Sequence, residues 1–377
     1  MSITSKYDYV IIGAGCAGLS LAYRMLNKDY KVCVIELESN INKKNKLWSF
    51  WDTYQNPFNH LIEKEWSKFL IKNNGETLSI NCGEFNYKSL NSHRFNNYIL
   101  EQINKSKNID INFSLPIEKI THNGNKVEIK TEEKIFICDH IFDSRPDIKK
   151  IYMWQQFFGA YVKTEMNIFD DLSPIIMDFS NDDNKFHFNY FLPFTKNYAL
   201  IESTYFSSNI EKENLDIKYI EKYMEKNYKG IKYNIDKTEL GKIPMDVNLN
   251  SNCNFEYITK IGAYSGVTRS STGYTFINIQ KQSDRIMKNL NNLNKIKKYH
   301  HSYILRKMDN IFLKILKDNP GYIKKALIKL FKSKDQVAQI KFLSDIPSSV
   351  DILKILIYLP KKKFLLYSLG IQKNDDK

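Results

Sequence analysis

Apolar positions along this chain change period from block to block. YDYVII (7–12) and KVCVIE (31–36) are short apolar runs, and LSLAYRML (19–26) between them has helical spacing. That order predicts strand, helix, strand, with the glycine-rich GAGCAG (13–18) as the turn. Residues 46–60, KLWSFWDTYQNPFNH, gather aromatics. SHRFNNYILEQINK (92–105) predicts a helix opened by Ser92 and His93. Residues 117–146 alternate strands with turns, and HNGN (122–125) signals a hairpin. Residues 151–250 read as strand-rich, with a second hairpin around PFTKN (193–197). Residues 259–287 return to an apolar strand, a Gly- and Thr-rich loop and a helix. From about residue 290 onward the pattern is helical and basic.

These blocks predict an α/β protein. A Rossmann-like dinucleotide-binding domain takes residues 1–150 and 255–290, a β-rich substrate domain (151–254) is interleaved with it, and 291–377 form a basic helical region. A length of 377 residues with 42% hydrophobic content supports a large core. The formal charge of +14 raises nucleic acid or a membrane surface as partners, or no partner, as a general inflation of lysine. The lysines are dispersed and no nucleic-acid module appears, which argues against the first. Five widely spaced cysteines without a CxxC or a His–Cys cluster predict neither disulfides nor a metal site, and so a reducing cytoplasm. No apolar run reaches about 18 residues, so no spanning helix is expected. The N-terminus enters a strand at once, without the pattern of a cleavable signal.

Gly13, Gly15 and Gly18 fit G-x-G-x-x-G between the first strand and helix. The first permits the turn, the second lets backbone approach a pyrophosphate, and the third lets helix pack on sheet. Glu36 ends the second strand, where an acid can bind ribose hydroxyls. The motif alone does not choose between FAD and NAD. Its place at the head of the chain and the late glycine-bearing IGAYSGVTRSSTGYTF (261–276) favour FAD. Thr272-Gly273-Tyr274 is then expected to open a helix aimed at the isoalloxazine.

YALIESTYF (198–206) places Glu202 inside an apolar strand. Burial would raise its pKa and keep it protonated near neutrality. The alternative is a structural ion pair. Asp178 in PIIMDF is a second acid in an apolar stretch, either a partner of Glu202 or a strand-end cap.

DYVIIGAGCAGLSLA, WSFW (48–51), SHRF, FDSRP (142–146), PIIMDF, FNYFLPF (188–194), ALIESTYF, GKIPM (241–245), SSTGYTF and FLSD (342–345) occur in this order. Together they resemble the flavoprotein lycopene cyclases of bacterial carotenoid synthesis. One departure is Gly262-Ala263, where many related flavoproteins have Gly-Asp against the ribityl chain. The resemblance implies proton-initiated, non-redox closure of the ψ-ends of lycopene to β-ionone rings, giving β-carotene. It implies Glu202 as the acid, Asp178 as base or orienting group, and Arg94 as a flavin contact. It also implies reduced FAD as cation stabiliser or proton donor, and NAD(P)H as electron source. Tyr190, Phe191, Tyr205, Trp48 and Trp51 are aromatic candidates for cation stabilisation. Lycopene lives in the bilayer, so a peripheral, cytoplasmic-side attachment is expected, with other carotenoid-pathway enzymes as candidate neighbours. Residues 319–334 and 350–370 are basic amphipathic candidates for that attachment. The rival reading is an FAD monooxygenase or polyprenyl reductase acting on an isoprenoid lipid.

Overall fold

A computed structural model describes residues 3–43, 45–146, 150–179, 185–211, 215–249, 257–292 and 301–371. Its nucleotide-binding half is a five-stranded parallel sheet in the order Ile258–Lys260, His140–Asp143, Tyr9–Ile12, Val32–Ile35, Ile109–Asn112. Tyr9–Ile12 and Val32–Ile35 are buried at every position, as continuous apolar runs in a covered parallel sheet must be. Helix Cys16–Met25 follows the first of them and packs against helix Phe276–Lys288. Arg24 Nε lies 2.6 Å from Asp284, and Gln280 donates to Ser20 Oγ at 2.9 Å. The late strand and helix therefore close the domain that the first 36 residues open. A small sheet (Ile3–Lys6, Lys134–Cys138, Lys126–Thr131, Ile117–Asn123) is attached, and its HNGN hairpin forms as expected.

The second half is a seven-stranded sheet, ordered Tyr233–Met245, Met153–Thr164, Tyr198–Ser207, Phe186–Thr195, Ile175–Asp178, Lys68–Asn73, Glu76–Asn81. Lys196 and Asn197 make the tight turn between Phe186–Thr195 and Tyr198–Ser207. One face packs on helix Lys218–Asn227 through Ile201, Phe191, Ile220 and Met224. That helix interrupts a stretch read as strands. The other face joins the largest core cluster, which includes Trp51, Tyr161 and Leu200 and reaches Leu305, Ile323, Ile340 and Phe342 of the C-terminal helices. A three-stranded sheet (Leu47–Trp51, Tyr87–Asn91, Lys64–Trp66) carries the aromatic stretch 46–60 into the region between the halves.

Three sequence expectations need correction. Strands Lys68–Asn73 and Glu76–Asn81 lie within the 1–150 span yet belong to the seven-stranded sheet, because Lys68–Asn73 pairs in parallel with Ile175–Asp178. The helix Ser92–Lys105 is capped by the Asn91 side chain, which accepts from the His93 N–H. Residues 319–334 turn their apolar side inward: Ile323 is 0% exposed and Phe331 3%, and Phe331 meets Phe69 edge-on.

Candidate active site

Register builds the site. Tyr190 pairs with Glu202, Glu202 with Gly159, and Gly159 with Glu239, so these four positions form one row across four neighbouring strands. Residues in one row face the same side of a sheet. Two carboxyl groups thus flank a residue that has no side chain. Glu202 is 8% exposed and Glu239 6%. The Thr204 hydroxyl donates to Glu202 Oε1 at 2.7 Å, and the Tyr161 hydroxyl lies 3.4 Å from Glu239 Oε2.

Burial pushes the Glu202 carboxyl up to about 7, against the opposing pull of the Thr204 hydrogen bond. Burial also lifts Glu239 to about 8, and the neighbouring Glu202 charge adds to the rise. Both groups therefore hold protons at a pH where ordinary carboxyls are ionised.

Aromatic side chains roof this row. The Tyr190 and Tyr87 hydroxyls lie 2.6 Å apart. Trp51 packs on Tyr87 (5.0 Å between ring centroids) and on Tyr274 (5.1 Å). Burial raises the Tyr87, Tyr190 and Tyr274 hydroxyls well above their usual range, so all three stay neutral. Beyond them a hollow opens at the start of helix Phe276–Lys288, lined by Phe50, Trp51, Thr53, Arg269, Tyr274, Phe276 and Asp345 among others. Phe276 stacks on Phe50 (4.7 Å) and on Trp48 (5.6 Å). The contacts Glu202–Tyr190–Tyr87–Trp51 link the carboxyl row to this hollow.

At the other end of the nucleotide-binding half, Gly13 has φ +97°, and a methyl group on it would meet Ser144 Oγ at 2.2 Å. A methyl on Gly18 would collide with the Gly13 carbonyl oxygen, whereas among the described residues nothing lies within 4 Å of one on Gly15. Gly15 is the N-cap of helix Cys16–Met25, and no side chain caps it. Its amide end is left open to an anion. Glu36 closes the adjoining strand and accepts the Ala14 N–H at 2.6 Å.

The family described as "Lycopene cyclase protein" matches residues 8–367. The chain belongs to the lycopene cyclase family. A search of curated proteins finds no match. Among solved structures, this cyclase-family chain is similar to a geranylgeranyl bacteriochlorophyll reductase-like protein from Thermoplasma acidophilum. The TM-score is 0.64 at 12% identity, covering 97% of this chain and 99% of that one. A flavoprotein/dehydrogenase from Cytophaga hutchinsonii gives the same TM-score and identity over 98% and 100%. The halogenase PltM, solved in complex with FAD, gives 0.58 at 10% over 94% and 86%. At these identities the likeness establishes the fold, the FAD-binding Rossmann type.

The chain's own residues fit that cofactor. The open amide end at Gly15, the gap above it and the Glu36 carboxylate make a dinucleotide cradle. At the hollow, Thr53 Oγ1 and Asp345 Oδ1 are buried without a hydrogen-bond partner among the described residues, as expected where a polar-edged ring is to dock. Thr272-Gly273-Tyr274 precede the late helix rather than open it: Thr275 is its N-cap and Phe276 its first residue. Gly273 is nonetheless fixed, since a methyl there would meet Gln155 Oε1 at 2.5 Å. Arg269 is buried beside Asp309 and hydrogen-bonded to the Phe342 carbonyl, which ties this loop to the C-terminal helices.

Two predicted site residues are not brought to Glu202 or to the cradle. Asp178 pairs with Asn189, which pairs with Ser203, so it faces the helical side of the sheet, opposite Glu202. Its charge acts there on Tyr223 and Tyr228. A half-turn of pleat separates it from the carboxyl it was expected to orient. Arg94 is exposed and reaches the Ile62 carbonyl (3.5 Å) and the neighbourhood of Glu63, not the glycine turn. Of the aromatic candidates, Tyr190, Trp48 and Trp51 lie on the site side. Phe191 and Tyr205 lie behind the sheet, with Tyr205 stacked on His187.

Sequence reasoning missed Glu239. It sits in KTELGKIPM, where Leu240 is 59% exposed and Glu239 only 6%. Ordinary alternation reads that edge strand inside out. The usable signal was Gly159 facing it across the ladder, visible only once register is known.

Proposed function

We propose that this chain is an FAD-dependent lycopene cyclase that closes β-rings at the ψ-ends of lycopene. The observation that carries the reading is a buried carboxyl, Glu202, whose burial keeps it protonated to about pH 7 against an aromatic wall. Glu202 gives its proton to the terminal alkene: the O–H bond breaks and a C–H bond forms. The resulting tertiary cation is attacked by the neighbouring alkene, making the ring C–C bond. A C–H bond beside the new cation then breaks, its electron pair forms the ring double bond and its proton goes to the carboxylate that the first step left, so atoms balance and no electrons are exchanged overall. The Tyr190, Tyr87 and Trp51 rings offer π faces to the positive charge and exclude water that would trap it. When bound and held reduced by NAD(P)H, FAD supplies electron density that favours the cationic stage.

The substrate is a membrane hydrocarbon, and the last helices offer a face for it. Val350, Leu353, Ile357, Leu365 and Leu369 are 59–73% exposed beside Lys361 and Lys362. Apolar side chains edged by lysine suit an anionic bilayer surface. Among the described residues no helix is long and apolar enough to cross a membrane, so attachment would be peripheral.

The deciding experiment is expression in cells that accumulate lycopene, with pigments separated and weighed by mass spectrometry. A cyclic isomer of unchanged mass is the expected product. Added hydrogen would mean a reductase and added oxygen a monooxygenase. Glu202→Gln should retain flavin yet lose cyclisation by roughly 10²–10⁴-fold, the range for a removed general acid. A Glu202→Gln protein with wild-type turnover would remove the acid from the mechanism.

A further inference from the structure

Glu239 is a buried acid that the ring-closing chemistry above does not use. It shares a sheet row with Glu202, and the residue between them is glycine. The Glu239 and Leu200 side chains close over that gap: a methyl on Gly159 would meet Glu239 Cγ and Leu200 Cδ1 at 3.0 Å each and Glu239 Oε1 at 3.6 Å. Any other residue at 159 would crowd Glu239 and Leu200. The strand is also turned against its own apolar pattern, with Leu240 outside and Glu239 inside. Burying an acid in place of a leucine has a free-energy cost that folding alone does not repay.

We propose that Glu239 is a positioning residue for the acid: from the same sheet row, on the far side of Gly159, its charge acts on Glu202 and keeps a proton on the pair at neutral pH. The inference rests on the cyclase reading of Glu202. Two carboxylates facing each other in a dry sheet cannot both ionise at ordinary pH, so the last proton leaves the pair only under alkaline conditions. Once that proton has gone to the alkene both carboxyls are ionised, and the repulsion between them favours the return of a proton to the pair before the next turnover.

The groups facing the pair are few. Lys237 and Tyr161 lie beside Glu239, and the Lys237 ammonium stands 4.2 Å from the Tyr161 ring centroid. Tyr190 adjoins Glu202, Tyr87 reaches it from the three-stranded sheet, and Glu63 lies near Lys237 and Tyr161. Among the described residues Lys237 is the cation that acts on Glu239, and it favours the ionised form. Glu202 opposes it.

The test is a pair of titrations. Cyclisation rate against pH should show an alkaline limb that moves acidward by about one pH unit or more in Glu239→Gln, because the repulsion that retained the proton is gone. Glu239→Asp should restore part of the shift. Independently of turnover, infrared absorption of protonated carboxyl groups is followed against pH in wild type, Glu239→Gln and Glu202→Gln. Coupling is reciprocal, so each single variant should lower the midpoint of the acid that remains. An unmoved limb together with unmoved infrared midpoints would reduce Glu239 to a structural residue. If Glu239→Gln loses flavin or fails to fold, the Glu202→Gln titration decides alone. If wild type closes no rings while the infrared coupling is present, the cyclase reading fails and the dyad stands.

Discussion

A methyl group on Gly18 would collide with the Gly13 carbonyl oxygen, whereas one on Gly15 would enter open space. Two glycines of one motif thus carry separable duties, packing and ligand approach. Gly15 has φ −81°, which alanine adopts freely. Gly15→Ala is therefore expected to fold with an unchanged melting temperature but to retain little FAD, measured as flavin absorbance after gel filtration. Gly18→Ala should lower soluble yield and stability themselves. Equal flavin content in wild type and Gly15→Ala would remove the pyrophosphate from that gap. Residues of this kind were legible in sequence because the motif is local, and Glu202 was legible because its neighbours on both faces are apolar. Glu239 was not, since its meaning depends on a glycine 80 positions earlier that only strand pairing brings alongside.

Helical periodicity reports that a face is apolar, not what covers it. Residues 319–334 and 350–370 read alike as amphipathic and basic, yet the first packs against the seven-stranded sheet and the second leaves leucines in solvent. The difference lies in the sheet. Phe69 and Phe179 receive helix Pro320–Phe331, whose Lys324 ammonium also donates to the Phe179 carbonyl at 2.8 Å. In helix Ser349–Tyr358 the only fully buried side chain is Ile355. Replacing Leu353, Ile357 and Leu365 together by Glu should abolish sedimentation with anionic vesicles, with melting temperature preserved within about 2 °C because these side chains are already exposed. Undiminished vesicle binding by the triple variant would place the membrane contact elsewhere.

At the scale of the molecule, the buried carboxyl row sets a cost on alkaline pH. In the unfolded chain both acids ionise near 4.5; folded, they keep protons to about 7 and 8. Between those limits the native state binds more protons than the unfolded state, so this contribution to stability declines as pH rises. A Glu202→Gln/Glu239→Gln double variant lacks that contribution. Its melting temperature should gain on wild type by a few degrees between about pH 5 and about pH 8. A pH-independent difference would mean that neither acid is raised. The two-half architecture was legible from the order of periodic blocks. The crossing of strands 68–81 into the other sheet was not, because parallel pairing across a hundred residues leaves no local trace.

That crossing, and the late return of the chain, order events at the ribosome. The parallel sheet opens with Tyr9–Ile12 but gains its outermost strand only at Ile258–Lys260, and helix Cys16–Met25 meets its neighbour only when Phe276–Lys288 has emerged. Through most of synthesis the glycine turn is held by an incomplete scaffold, while the aromatic sheet waits uncovered for helices made last. Loading of the nucleotide therefore follows translation rather than accompanying it. A nascent chain stalled before residue 288 would offer chaperones, not the cofactor, its first binding surface.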